Sequence, residues 1–118
     1  MEHMQGVADE RSVLAQATRN AARGLGLTQT DLGSVIGRDR SRIRDGIDPA
    51  SESGELALML VRCHRSLFAL VDGDEARMRQ WMASPNRGTG GVPREQVRSV
   101  RGLAIVLDYL ESGSGTSA

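Results

Sequence analysis

Residues 81–110 read W-M-A-S-P-N-R-G-T-G-G-V-P-R-E-Q-V-R-S-V-R-G-L-A-I-V-L-D-Y-L. Trp81 closes one helical stretch, and Pro85-Asn86 breaks it, because proline lacks the N–H that a continuing helix would use. Gly88, Gly90 and Gly91 then crowd into a turn at 86–91. Pro93 suits the first position of a short helix, where its missing N–H would be unpaired in any case. Ser99 is placed to cap a last helix whose apolar face is Leu103, Val106, Leu107 and Leu110. Nothing in this run performs chemistry. It presents a defined apolar surface instead.

The same three-and-four spacing of apolar residues governs the chain upstream, and no segment alternates long enough to suggest a sheet. The fold expected is therefore all-α. A first helix is predicted over 8–23, punctuated by Gly24 and Gly26. Thr28 caps the next, with Asp31 three residues on in a capping-box arrangement, and Gly37 ends it in a left-handed turn. A short third helix is predicted to begin at Asp39 or Arg40 and reach Arg44. The small, polar segment 50–54 reads as a hinge between lobes. A long helix over 55–71 follows, with the stripe Leu56, Leu60, Cys63, Leu67 and Leu70. Asp74 and Glu75 then stand at the start of the helix that ends at Pro85, where acidic side chains favour the helix dipole. The tail 113–118 has nothing to bury and is expected to be disordered.

Composition excludes several function classes. The 118 residues suffice for one compact domain or two small helical lobes. Fifteen arginines stand against 15 acidic residues with no lysine, so the formal net charge is zero and nucleic-acid contact must come from a local patch. From Arg19 to Gly46, arginines 19, 23, 38, 40, 42 and 44 outnumber Asp31, Asp39 and Asp45 by three. That run is equally the composition of a solvated face. A single cysteine, Cys63, rules out an internal disulfide and a thiolate zinc cluster. The apolar stretch 56–71 is interrupted by Arg62, His64 and Arg65, so no membrane contact is expected, and a cytoplasmic location is. Cys63 and His64 are neighbours on a helix, about 100° apart, which does not make a nucleophile–base pair. The carboxylates show no metal spacing, and the glycines at 88–91 follow no strand. Neither enzyme activity nor a cofactor is expected.

Two resemblances complete the reading. The segment L-G-L-T-Q-T-D-L-G-S-V-I-G-R-D-R-S-R-I-R, residues 25–44, resembles the helix-turn-helix of Xre/Cro-type repressors through Thr28-Gln29, Leu32, Ile36, Gly37, Ser41 and Ile43. In that family the second helix enters the major groove. By resemblance Arg40, Ser41 and Arg44 would face bases or phosphates, with Gln29 near the backbone. Arginine suits guanine through two donors, and serine suits base edges or phosphate.

From Gly54 to Leu110 the chain resembles the toxin-binding domain of Xre/MbcA/ParS-type antitoxins. The matched positions include Trp81, Pro85, Asn86, Gly91, Pro93, Gly102, Leu103, Val106 and Leu110, and Thr89 stands where the family pattern implies a large apolar residue. The architecture implied is an Xre/Cro-like helix-turn-helix region at 1–50 followed by a small helical toxin-binding domain at 51–112. Trp81, Pro85, Asn86, Gly91, Pro93 and Gly102 are expected to fix the fold. Partner contact is assigned to positions around the last helix: Arg94, Arg98, Arg101, Asp108, Tyr109 and Glu111. Tyrosine and arginine are residue types that often carry interface energy.

The resemblance implies a RES-type toxin, similar to ADP-ribosyltransferases and using NAD, whose active-site entrance the antitoxin covers. It also implies operator DNA, bound by an oligomer or by the toxin complex, and leaves a homo-oligomer open. The competing reading is a stand-alone helix-turn-helix repressor whose C-terminal lobe serves only to dimerise it.

Overall fold

The computed structural model describes residues 2–37 and 43–113, with side chains from Glu10 onward. Six helices account for most of them: α1 (Glu2–Leu25), α2 (Gln29–Ile36), α3 (Glu52–Leu70), α4 (Glu75–Ala83), α5 (Pro93–Gln96) and α6 (Val100–Glu111). No strand occurs among the described residues, and the all-α expectation holds.

Helix α1 begins earlier than the apolar pattern suggested and ends two residues later. Its inward face is Leu14, Ala15, Thr18, Ala21, Ala22 and Leu25, all buried. That face is small, so α3 approaches closely. Thr18 keeps its buried hydroxyl satisfied by donating to the Leu14 carbonyl at 2.6 Å. The helix stops in a Schellman arrangement. Gly26 takes φ +79°, and the Leu27 N–H reaches back to the Ala22 carbonyl at 2.9 Å.

Helix α2 starts as the sequence specifies. The Thr28 hydroxyl accepts from the Asp31 N–H at 3.0 Å, and the Asp31 carboxylate accepts from the Thr28 N–H at 3.0 Å. Gly37 closes α2 in the left-handed region at φ +71°. Leu32, Val35 and Ile36 bury themselves against the core, while Gln29 and Thr30 stay exposed. The expected third helix falls mostly on residues 38–42, outside the described residues; Ile43 and Arg44 are helical. The chain then returns to α1, where the Ile47 N–H donates to the Arg11 carbonyl at 3.1 Å.

Segment 50–54 is not a hinge. Ser51 caps α3 by accepting from the Gly54 N–H at 3.0 Å, and Glu52, Ser53 and Gly54 already form its first turn. Gly54 is buried so tightly that a Cβ there would lie 2.1 Å from the Asp48 carbonyl oxygen. Ser53 donates to the Ile36 carbonyl at 2.9 Å, which ties the end of α2 to the start of α3. The cap placement differs from the sequence expectation because Ser51 offers a side-chain acceptor five residues ahead of Leu56, where the apolar stripe begins.

Helix α3 is the spine. Its face of Ala57, Leu60, Cys63 and Leu67 is fully enclosed between α1 and α6, with Leu56 and Leu70 partly buried at its ends. One continuous core therefore runs from Leu14 to Leu107. Each fully buried leucine in it contributes about 1.5–3 kcal/mol relative to exposure. Asp72 (φ +58°) and Gly73 (φ +77°) turn the chain after α3. Asp74 caps α4 by accepting from the Arg77 N–H at 3.2 Å. No helix among the described residues is long and apolar enough to cross a membrane.

Candidate functional site

The C-terminal lobe is built around the turn at 86–91. The Asn86 side chain accepts from the Thr89 N–H at 3.1 Å, and its backbone pairs with Gly91 through Asn86 N–H to the Gly91 carbonyl at 2.8 Å. Gly90 takes φ +81° and closes the loop on the Asn86 carbonyl. Thr89 is only 5 % exposed, and its hydroxyl lies 3.4 Å from the Asn86 carbonyl and 3.3 Å from that of Gly91. The Gln96 amide, one turn into the next element, donates to the Thr89 carbonyl at 2.6 Å. A polar lock thus occupies the place where the family pattern implies an apolar residue.

This turn braces α6 from below. Gly88 lies flat against Tyr109, where a Cβ would come within 2.1 Å of the ring. On the same side Trp81 stacks on Tyr109 at 6.3 Å between ring centres, tilted by 22°. Gly102 meets the Gln96 carbonyl oxygen so closely that a Cβ would sit 1.9 Å from it. Ser99 caps α6 by accepting from the Gly102 N–H at 3.0 Å. Pro93 occupies the first position of α5, as its missing N–H favours. Trp81 and Asn86 are half-buried, Pro93 and Gly102 buried, and Pro85 exposed.

With Leu103, Val106 and Leu107 inward, α6 turns Arg101, Ala104, Ile105 and Asp108 outward. The six residues assigned to partner contact divide accordingly. Arg101 and Asp108 share this outer face. Tyr109 sits on one flank, half-buried against Trp81 and Gly88. Glu111, on the opposite flank, makes a two-point ion pair with Arg62 of α3, one arm from Arg62 Nε at 2.8 Å. Arg94 and Arg98 lie beneath the helix near Asp31, with Arg98 Nε 3.7 Å from the Asp31 carboxylate. Sequence reasoning passed over Ile105 and Val100, which are 39 % and 61 % exposed. The available signal for Ile105 was its place in the helical period, about 200° round the axis from Leu103 and Leu107; Val100, at the first position of α6, carried no such signal.

Of the positions that the resemblance would turn toward DNA, Gln29 is exposed at the start of α2 and Arg44 is exposed beyond it. Arg40 and Ser41 lie outside the described residues. Cys63 is buried, and loss of solvent pushes its thiol up to about 12, so it remains protonated and unreactive. His64 is wedged against Gly24; burial pushes its pKa down, partly opposed by Glu75. Among the described residues, no group of histidines, cysteines and carboxylates could hold a metal ion.

Two family profiles match the chain in these same places. The antitoxin Xre-like helix-turn-helix domain matches residues 5–62, and the antitoxin Xre/MbcA/ParS C-terminal toxin-binding domain matches residues 66–112. The chain belongs to the Xre/MbcA/ParS-type antitoxins. A search of curated proteins returned no match. The two matched segments of the antitoxin meet inside α3, so one helix supplies core residues to both. Its Leu60 lies within the first matched segment and its Leu67 within the second, and both belong to the one core.

Proposed function

We propose that this antitoxin neutralises a RES-type toxin by laying the outer face of α6 over the toxin's active-site entrance, where it blocks access of NAD. With the toxin bound, the helix-turn-helix represses the operon that encodes the pair. Inhibition proceeds by occlusion and needs no catalytic group on this chain. The observation that carries the reading is the α6 surface itself. Arg101, Ile105 and Asp108 stand exposed on a helix held rigid by the Gly102–Gln96 contact and the Trp81–Tyr109 stack. An apolar centre flanked by opposite charges on a fixed element is a suitable anchor for a partner.

The test is co-expression with the product of the adjacent gene, followed by size-exclusion chromatography with light scattering and an assay of NAD loss. A stable hetero-complex that stops NAD loss supports occlusion. Ile105→Asp and Asp108→Arg are expected to release the toxin while the antitoxin melts within a few degrees of wild type. Separate elution of the two proteins, or full neutralisation by both variants, overturns the assignment of this face.

A further inference from the structure

We propose that the groove between the first half of α3 and the start of α6 receives an arginine-bearing, apolar-tipped segment of the toxin, as a second contact beside the α6 face. This contact rests on the toxin reading and adds to it a site and a chemistry. Glu52, Glu55, Leu56, Met59 and Arg62 follow one another at helical spacing along α3. With Val100 of α6 they line an open groove of about 460 Å³. Leu56 and Met59 are half-buried and give it an apolar floor, while Val100 stands exposed at its edge. Apolar area of this kind, left open beside charged groups, suits a partner side chain that loses water on docking.

Charge decides the occupant. At one end of the groove the Arg62 guanidinium is engaged by Glu111 in a two-point pair. At the other end, about 15 Å away along α3 at the helical rise, stand Glu52 and Glu55. Both are exposed, and neither makes an ion pair among the described residues. They lie three residues apart, as neighbours on one helical face, so a single guanidinium can bridge them. The planar fork of arginine suits that pair better than the point charge of lysine. An apolar side chain next to it then falls on Leu56, Met59 and Val100. Position names the toxin as the source. Val100 opens α6, and Arg101 and Ile105 stand exposed in the turn that follows, so a partner laid over the α6 face reaches the groove without a break.

The experiment is biolayer interferometry of the full chain against the purified product of the adjacent gene, at about 50 mM and about 500 mM salt. The double variant Glu52→Gln/Glu55→Gln keeps the side-chain shape and removes both charges. It is expected to bind about tenfold more weakly at low salt, with the difference from wild type shrinking at high salt. Val100→Gln lays an amide over the apolar floor at a position where glutamine suits a helix. It is expected to weaken binding by about fivefold at either salt. Both variants should melt within a few degrees of wild type by circular dichroism. If Ile105→Asp releases the toxin while both groove variants bind as wild type does, the groove is not a contact and the α6 reading stands. A charge-removal loss that is equal at both salts overturns the arginine. If the groove variants change the sedimentation of the chain on its own and bind the toxin normally, the groove belongs to another copy of the chain and the proposal fails. A wild type that does not bind the adjacent gene's product overturns both this contact and the toxin reading.

Discussion

Arg98 of the C-terminal lobe reaches the capping box of α2: its Nε lies 3.7 Å from Oδ1 of Asp31, which pairs with the Thr28 cap. Asp31 is 9 % exposed and already accepts the Thr28 N–H, so a residue that starts α2 also joins the two halves of the molecule. The two contributions differ in size. The cap satisfies a helix-end donor and is worth about 1 kcal/mol. The ion pair, with Arg98 about half exposed, adds a few tenths at most.

That ranking gives a pH dependence. The Thr28 N–H holds the Asp31 carboxyl below its ordinary value of 3.8; burial opposes this, and the Thr28 side chain and then Arg98 and Arg94 assist it. The native state therefore binds this proton less readily than the unfolded chain. Its stabilisation is complete above the ordinary carboxylate value and is lost as pH falls through the depressed native value. Urea titrations are expected to show Asp31→Asn less stable by about 1 kcal/mol at pH 7. The deficit should shrink as the pH falls into that acid range. Arg98→Ala should move the midpoint little at any pH.

Gly102→Ala sets two effects against each other. Alanine is favoured over glycine in a helix by about 1 kcal/mol. The added Cβ, however, would lie 1.9 Å from the Gln96 carbonyl oxygen, a backbone atom that moves only if α5 and α6 separate. Overpacking wins, and a net loss of about 2 kcal/mol is expected. Thermal unfolding followed by circular dichroism measures it.

Gly88→Ala acts on the aromatic pair instead. Gly88 is not at positive φ, so alanine fits the backbone, and the atoms nearest its Cβ belong to the Tyr109 ring. The ring must move away from Trp81. As Trp81 is the sole tryptophan, its emission maximum is expected to shift while the far-ultraviolet spectrum stays unchanged. An unchanged emission spectrum would show that the ring yields without leaving the stack.

Cys63 supplies a chemical probe of the core. With its thiol pushed up to about 12 by burial, the native protein should resist iodoacetamide at pH 8 and react only once unfolded. The same shift means that between the ordinary thiol value of 9.0 and about 12 the native state holds a proton that the unfolded chain releases. Stability is therefore expected to fall as pH rises above 9.0, and Cys63→Ala should lack that component of the decline.

Much of this architecture was legible in the sequence because its signals are local. Thr28, Asp31, Gly37, Pro93 and Ser99 act on groups within a few residues of themselves, and each does in the fold what its spacing predicted; Asp74, expected only to favour the helix dipole, is the cap itself. The inward stripe of α3 was readable for the same reason, since period alone assigns Leu60, Cys63 and Leu67 to one side. Thr89 was readable as a departure but not as a lock, because its partner Gln96 belongs to the next helix.

What the chain determined by itself was thus most of the described helices, the caps at Thr28 and Ser99, the turn at 86–91 and the face that α3 buries. The tertiary structure decided which helices share those faces and which exposed residues become neighbours. Arg62 and Glu111 are 49 residues apart, and no local pattern links them. Likewise nothing near Gly54 announces the Asp48 carbonyl that excludes a side chain there. Periodicity fixes direction around a helix axis, but only packing fixes what lies in that direction.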